Sequence, residues 1–396
     1  MRCQSVQVLA LLALPATPLQ RSPRLLRRST PLRSIAEPPS DAQPAVEDPI
    51  ERPEELEATA ASFEATAAPP QGRRAPSETF RAGFVGIVGS PNVGKSTITN
   101  AILGEDLCIA TSKAQTTRHR ILGVVTGDEH QLVLSDTPGI LAEPAYKLQD
   151  TMMTAAKAAT RDAECLLFVT DIFEDEALLA AAEWTRALLP QEDAPPVVVC
   201  LNKVDLFGDD EDGRPFLGEA ARSQAGSLDD CVARVRQAFP EAAAIVPASG
   251  LTGEGVEDLV AAVAANLPLS DYLYDPEYFT DRPQRFFVAE IIREQILRQF
   301  SKEIPYACEV RVDRFKERMK DGRPFVAIDA VVLVARESQK GIVVGKGGAG
   351  IKELGSAARA RLEEFLQAKV HLALRVKVSK DWRSDDAKLR GMGYIQ

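Results

Sequence analysis

Gly89-Ser-Pro-Asn-Val-Gly-Lys-Ser-Thr97 decides how this chain folds. The apolar run Phe84-Val-Gly-Ile-Val88 precedes it, and an isoleucine-containing segment able to open a helix follows, so the glycine-rich loop joins a strand to a helix. In that setting the pattern G-x-x-x-x-G-K-[ST] is a cradle for nucleotide phosphates. Its glycines let backbone N–H groups turn inward, the Lys95 ammonium neutralises the β and γ phosphates, and the Ser96 hydroxyl is placed to ligate Mg2+. The helix that starts there adds the positive end of its dipole. Ser90, Asn92, Val93, Gly94 and Thr97 complete the candidate phosphate site. The cradle alone leaves the nucleoside open, because ATP- and GTP-binding chains share it.

Asn202-Lys203-Val204-Asp205 supplies the choice of base. It ends the buried-strand run Pro196-Val-Val-Val-Cys-Leu-Asn202, and its carboxylate can accept hydrogen bonds from guanine N1 and the exocyclic amine, an edge that adenine does not offer. Asp136-Thr-Pro-Gly139 ends the run Gln131-Leu-Val-Leu-Ser135 and resembles a D-x-x-G element, in which the Asp holds Mg2+ through water and the Gly N–H meets the γ-phosphate. Thr116 and Thr117, in the loop Lys113-Ala-Gln-Thr-Thr-Arg-His-Arg120, are the threonines available for Mg2+, and Thr117 is the choice. Ser249-Gly250 would bring backbone N–H groups to guanine O6, although Gly250 stands where the usual pattern has alanine.

The strand-like runs at Phe84–Val88, Gln131–Asp136, Cys165–Asp171, Pro196–Asn202 and Ala244–Ser249 alternate with helical segments. This predicts an α/β domain with a mostly parallel sheet and helices on both faces. From Val288 the order changes to α-β-β-α-α-β, the order of an α+β type II KH fold, with Gly345-Lys346-Gly347-Gly348 between the last two helices. In such a fold a G-x-x-G loop clamps the backbone of single-stranded RNA, with Lys346 and Lys352 supplying positive potential. Ile351, Leu354, Ala358, Leu362 and Phe365 recur at helical spacing and are expected to pack on the sheet. In the last strand Val370, Leu372, Leu374, Val376 and Val378 alternate with His371, Ala373, Arg375 and Lys377, which leaves one face mostly cationic.

The net charge of −10 divides unevenly, since residues 281–396 carry 24 Lys/Arg against 16 Asp/Glu and the remainder 23 against 41. An acidic body with a basic C-terminal part points to a polyanionic partner. Six scattered cysteines lack paired spacing and read as reduced packing residues. No apolar run reaches the length of a membrane span. No Asp or Glu precedes Glu37, while Arg, Ser, Thr and Pro abound, the composition of an organelle-targeting presequence over residues 1–36. Residues 37–79 read as a Pro/Ala/Glu-rich disordered linker. The remaining boundaries are 80–268 for the α/β domain, 269–283 for an interdomain linker and 284–396 for the KH-type domain.

In this order the segments GSPNVGKST, KAQTTRHRI, DTPG, NKVD, Tyr278-Phe-Thr-Asp-Arg-Pro283 and GKGGAGIKELG resemble an Era-type GTPase, over roughly residues 80–396. The resemblance implies Mg2+-dependent hydrolysis of GTP to GDP, with Lys95, Thr117 and Gly139 carrying the reaction. It also implies a KH domain that engages the 3′ end of small-subunit ribosomal RNA under control of the GTP state, during organellar small-subunit assembly. Chloroplast is favoured over mitochondrion. Ile140 stands where Ras-like proteins place a water-orienting glutamine. Related GTPases with hydrophobic residues there can use K+, held partly by a P-loop asparagine, as a substitute for an arginine finger, and Asn92 has that position. Partners on this reading are GTP and GDP, the ribosomal RNA and the small subunit, with a peripheral membrane contact admitted and a monomeric state expected. Two rivals remain: a metabolic P-loop kinase or ATPase, which NKVD disfavours, and a constitutive RNA-binding protein with a vestigial G domain, which the intact Gly94, Lys95, Ser96, Asp136 and Asp205 disfavour. The segment 271–283 is expected to transmit changes between the domains.

Overall fold

The structure, a computed structural model, describes residues 78–395 apart from 112, 114, 142–143, 175, 191, 210–215, 217, 219–220 and 222–224. The expected presequence, nearly all of the expected linker 37–79 and most of the acidic insert after Asp209 lie outside the described residues.

The first half forms a six-stranded sheet of order β2-β3-β1-β4-β5-β6. Its strands are β1 (Arg81–Val88), β2 (Ile121–Thr126), β3 (His130–Asp136), β4 (Cys165–Asp171), β5 (Val197–Asn202) and β6 (Ala244–Pro247). All pairs are parallel except β2 with β3. The central strands read as unbroken apolar runs because helices cover both faces. Leu167, Val169, Val198 and Cys200 point to one side, against Ile98 of α1 (Lys95–Leu103) and Leu259 and Val263 of the helix Val256–Ala265. Their neighbours Leu166, Phe168, Val199 and Leu201 point to the other, against Leu178 of the helix Glu176–Leu188 and Val235 of the helix Leu228–Ala238. In chain order after α1 come α2 (Lys147–Arg161), α3 (Glu176–Leu188), α4 (Leu228–Ala238) and α5 (Val256–Ala265). The strand β2 was not among the expected ones. Gly123 and the basic residues before it weaken its local signal, and its antiparallel pairing with β3 is what secures it.

The second half begins with α6 (Gln284–Gln299) and the single turn α7 (Ile304–Ala307), followed by the hairpin of β7 (Glu309–Lys320) and β8 (Arg323–Val334). Then come α8 (Glu337–Val344), the GKGG turn, α9 (Ala349–Leu366), β9 (Lys369–Val378) and α10 (Asp386–Gly391). The three-stranded sheet runs β7-β8-β9, with β9 parallel to β8, and Val288, Ile292 and Ile296 of α6 pack on it together with Leu354, Ala358 and Leu362 of α9. The apolar stripe expected on α9 holds in its middle and fails at its ends. Ile351 is only half-buried, and Phe365 is 39% exposed, its ring tilted against Phe287 at 6.0 Å between centroids. Ala307 closes α7, whose helical turn Pro305 favours at its start, and β7 begins only at Glu309.

The chain end adds a bridge that the sequence pattern did not announce. Trp382 is fully buried, donates from Nε1 to the Ala307 carbonyl at 3.0 Å, and clusters with Leu389 against Leu148, Met152 and Met153 of α2. Burying side chains of this size contributes roughly 1.5–3 kcal/mol each. The C-terminus therefore ties the second sheet to the first domain.

Candidate functional site

The loop between β1 and α1 closes over the Lys95 side chain, which is buried and donates to the Gly89 and Ser90 carbonyls at 3.0 and 2.7 Å. Burial pushes its ammonium down to about 8, with Asp136 and Glu174 opposing the shift. A phosphate group arriving at the loop would favour the charged form and push the value back up. Gly94 caps α1 with a φ of 96°, and Gly139 lies against Pro91 and the Lys95 amine.

Three oxygens meet beside this lysine. Ser96 Oγ lies 2.8 Å from Thr117 Oγ1 and donates to Asp136 Oδ2 at 2.9 Å, while Thr117 Oγ1 reaches the same carboxylate oxygen at 3.1 Å. The other oxygen, Asp136 Oδ1, is buried without a hydrogen-bond partner, and burial pushes this carboxyl up. Two hydroxyls and a carboxylate with an oxygen to spare form an all-oxygen donor set suited to Mg2+.

A cavity of about 540 Å³ runs from this point to β5. Of the residues expected at the nucleotide, Asn92, Gly94, Lys95, Ser96, Thr97, Thr117, Gly139, Asn202, Lys203 and Asp205 line it. Ser90, Val93, Asp136, Ser249 and Gly250 lie behind that lining. Asn202 spends both ends of its amide inside the protein, donating to the Val93 carbonyl at 2.8 Å and accepting from Gly250 N–H at 3.0 Å. It thus ties the phosphate loop to the loop after β6. Ser249 Oγ donates to Asp205 Oδ1 at 2.6 Å and holds that carboxylate in place. Lys203 pairs with Asp171, a residue the motif reading passed over.

Gly250 has a steric reason for replacing alanine. A Cβ there would stand 2.9 Å from the backbone of Thr97 and Ile98, so the loop can approach α1 this closely only without a side chain. Asn92 is exposed with a φ of 69°, a turn residue in the left-handed region. Ile140 is buried with Val88, Leu166 and Phe168, and its side chain belongs to the core. Sequence reasoning also missed Ile109, Leu206 and Leu251, apolar residues of the cavity wall. Only their convergence in space marks them.

The comparisons with known proteins agree with this geometry. The profile of the 50S ribosome-binding GTPase family matches residues 84–203, and that of the KH domain matches residues 303–383. The chloroplastic GTPase ERA-like of Oryza sativa is 39% identical over 319 residues, 79% of this chain and 69% of the relative. The GTPase Era of Xylella fastidiosa strain M12 is 38% identical over 317 residues, 80% of this chain and 98% of the relative. The chain belongs to the Era family of GTPases. An Era structure in complex with MgGDPNP and nucleotides 1506–1542 of 16S ribosomal RNA superposes with a TM-score of 0.70 at 33% identity, covering 80% of this chain and all of that one.

In this Era-family chain the loop that carries Thr117 is anchored directly on the KH half. Lys113 Nζ donates to the Leu297 and Phe300 carbonyls at the C-terminal end of α6. Arg293 of α6 donates to the Thr116 carbonyl at 2.5 Å. Arg118, buried, reaches the Cys308 carbonyl at 2.8 Å and Glu309 Oε2 at 2.7 Å, and Tyr394 Oη donates to the same Glu309 oxygen at 2.6 Å. His119 stacks on Tyr394 at 4.2 Å and meets Phe286 edgewise at 5.4 Å; burial pushes its imidazole down to about 4, so it is neutral. The segment 271–283, expected to be the transmitter, runs beside β2 and meets the loop's end at Arg120, whose carbonyl accepts from Arg282 at 2.7 Å. The Era-family switch loop has a shorter path to the second domain than the linker.

The GKGG turn places Gly345, Lys346, Gly347 and Gly348 at the start of α9, with φ positive at all three glycines. Lys352 lines an adjoining groove of about 380 Å³ between α9 and β9, whose floor is Ile351, Leu372 and Leu374 and whose rim includes Ser356, Arg359 and His371. The motif pointed to the turn and to Lys352; Arg359 and His371 enter only because β9 runs alongside α9.

Proposed function

We propose that this chain is a GTP-driven switch that engages the 3′ region of small-subunit ribosomal RNA through its KH domain during assembly of the chloroplast small ribosomal subunit. The observation that carries the reading is that Thr117 and Arg118 are adjacent in the chain. One belongs to the three-oxygen cluster and the other is buried against Glu309 of the KH half, so a change at the γ-phosphate has a one-residue path to the RNA module. In this scheme Ser96, Thr117 and Asp136 hold Mg2+, which neutralises charge on the phosphates when bound. Lys95 and the Gly139 N–H bind the γ-phosphate, Asp205 selects guanine, and the backbone N–H groups of the loop orient the chain of phosphates. Lys346, Lys352 and the GKGG glycines clamp a single strand.

The names of the plant relatives support a chloroplast address, with residues 1–36 as presequence and 37–79 as linker. The limits 80–268, 269–283 and 284–396 complete the reading, and a monomer suffices because both sites lie in one chain. Crosslinking of the tagged protein in plastids is expected to recover the 3′ end of the small-subunit RNA. A Lys346→Asp/Gly347→Asp variant loses that product. Recovery of no ribosomal RNA by the parent chain overturns the functional reading.

Because Ile140 is committed to the core, no side chain at that position orients water and intrinsic hydrolysis is slow; we infer that a K+ ion near Asn92, in place of an arginine finger, accelerates it. Hydrolysis is then faster in potassium than in sodium buffer, by roughly a hundredfold, on the scale of one lost electrostatic contact. Equal rates in the two salts sink the potassium assignment and leave the rest standing.

A further inference from the structure

The strands β4 and β5 end side by side, with Asp171 in parallel register with Asn202. Asp171 continues the row of Leu167 and Val169, and Asn202 the row of Val198 and Cys200, so both side chains leave the sheet on the side of α1. Asn202 binds the phosphate loop there, through the Val93 carbonyl. The next residue, Lys203, has a φ of 68°, in the left-handed region. A non-glycine residue keeps that conformation only where its surroundings fix it. The Lys203 side chain is anchored across the strand ends, where its ammonium pairs with Asp171 Oδ2. Asp171 is buried, at 8% exposure, and its other oxygen accepts from the Phe173 N–H at 3.0 Å. The carboxylate is the fixed member of the pair, and the lysine, 32% exposed, is the member that could move.

Lys203 and Asp205 line the same nucleotide cavity, two residues apart. A lysine ammonium is a compact charge on a flexible four-carbon stem, and unheld it pairs with whatever carboxylate it can reach. Ser249 Oγ already donates to Asp205 Oδ1, so a cation on that carboxylate as well would compete with a base for its remaining acceptor positions. With its ammonium drawn to Asp171, what Lys203 can lay along the cavity is its methylene stem. Such a stem ending in a fixed cation suits the face of an aromatic ring.

We propose that Asp171 is a positioning residue of the nucleotide site: it holds Lys203 across the ends of β4 and β5 as a rest for the purine ring, and it keeps that charge off Asp205. The proposal rests on the reading of Asp205 as the guanine-selecting carboxylate. Asp171 is not among the residues lining the cavity, so it acts through Lys203. A purely structural ion pair is a poor account of the contact, because a pair whose cation is partly solvated adds little to the stability of a fold. Its worth lies in orientation. The chemical step is untouched, since Lys95, Thr117 and Gly139 sit on other loops and meet the phosphates rather than the base.

The test uses the purified full-length chain with GDP, inosine diphosphate and GTP as probes. Asp171→Asn keeps an acceptor for the Phe173 N–H and removes the charge. It is expected to weaken GDP binding and raise KM for GTP by about tenfold, on the scale of one charge-assisted hydrogen bond, while kcat at saturating GTP changes less than about twofold. The preference for GDP over inosine diphosphate, which reports the hydrogen bond from the exocyclic amine to Asp205, shrinks in the same variant. In a Lys203→Met background Asp171→Asn alters GDP affinity less than about twofold, because no charge is left to hold. In a Lys203→Arg background it keeps its effect. GDP affinity unchanged by Asp171→Asn overturns the proposal. So does an equal loss in the Lys203→Met background, which would place the effect in the folding of the strand end. An unchanged base preference strikes out the part played toward Asp205. A parent chain that binds GDP and inosine diphosphate alike would instead remove the guanine reading of Asp205, and the Asp171–Lys203 cycle would then be decided on GDP affinity alone.

Discussion

Lys95→Ala lowers kcat/KM for GTP by about a thousandfold or more while leaving the thermal midpoint nearly unchanged. The first part follows from position. The amine lies inside the phosphate loop, next to Gly139, where the charge of a transferring phosphoryl group develops. Preorganised donors at such a point are each worth two to three powers of ten in rate, and a full positive charge at the γ-phosphate lies at the upper end. The second part follows from the cost of burying an ammonium. Its depression to about 8 means that the folded chain holds this charge against a desolvation penalty. Alanine gives up two hydrogen bonds to carbonyls and also removes the penalty. Single-turnover hydrolysis with saturating GTP, beside a melting curve, makes the comparison. A variant that hydrolyses GTP within tenfold of the parent would remove Lys95 from the reaction.

Arg118→Met has its main effect on stability, at the joint between the halves. The Arg118–Glu309 pair is 4% and 8% exposed, so removing the guanidinium leaves a carboxylate in the interior with only Tyr394 Oη and its own neighbouring N–H as partners. Breaking a buried pair from one side costs about 3–5 kcal/mol. In the parent chain, burial raises the Glu309 carboxyl, but Arg118 first, then Arg293 and Tyr394, outweigh it and hold it below its usual value. That shift stabilises the fold above the ordinary glutamate range and is lost as pH falls through the depressed value. Without Arg118, burial dominates, the carboxyl rises above its unfolded value, and stability is lost as pH increases. The deficit of the variant is therefore largest at neutral pH and shrinks toward pH ~4. Arg118→Met/Glu309→Gln, which removes both charges, recovers most of the loss. Denaturant titrations at two pH values provide the cycle, and additive single effects would show that the two groups are not coupled.

The nucleotide cradle was legible because its chemistry is local. The glycines, Lys95 and Ser96 of one loop act through their own backbone and the helix they start, while Asp136 closes a strand and Asp205 stands in the turn just after one, and both strands have apolar runs readable by themselves. Arg118 was not legible. In the string Thr-Thr-Arg-His-Arg it looks like one of several solvated cations, and its partner Glu309 lies 191 residues away. His119 is similar, since its stacking partner Tyr394 sits in a chain end with no motif. The Gly250 departure from alanine looked like a loose match until the loop after β6 was seen to press on α1.

The sequence by itself determined the two fold types, most of their elements in order, the phosphate loop, the NKVD stretch and the GKGG turn. Each of these depends on spacing along the chain, where periodicity and backbone conformation act over a few residues. Only the tertiary structure decided that the switch loop rests on the KH half through Arg118, that the C-terminus clasps α2 through Trp382, and that Asp171 at the end of β4 pairs with Lys203 just past the end of β5. These depend on which distant surfaces exclude water together, and on which strand ends the sheet sets side by side.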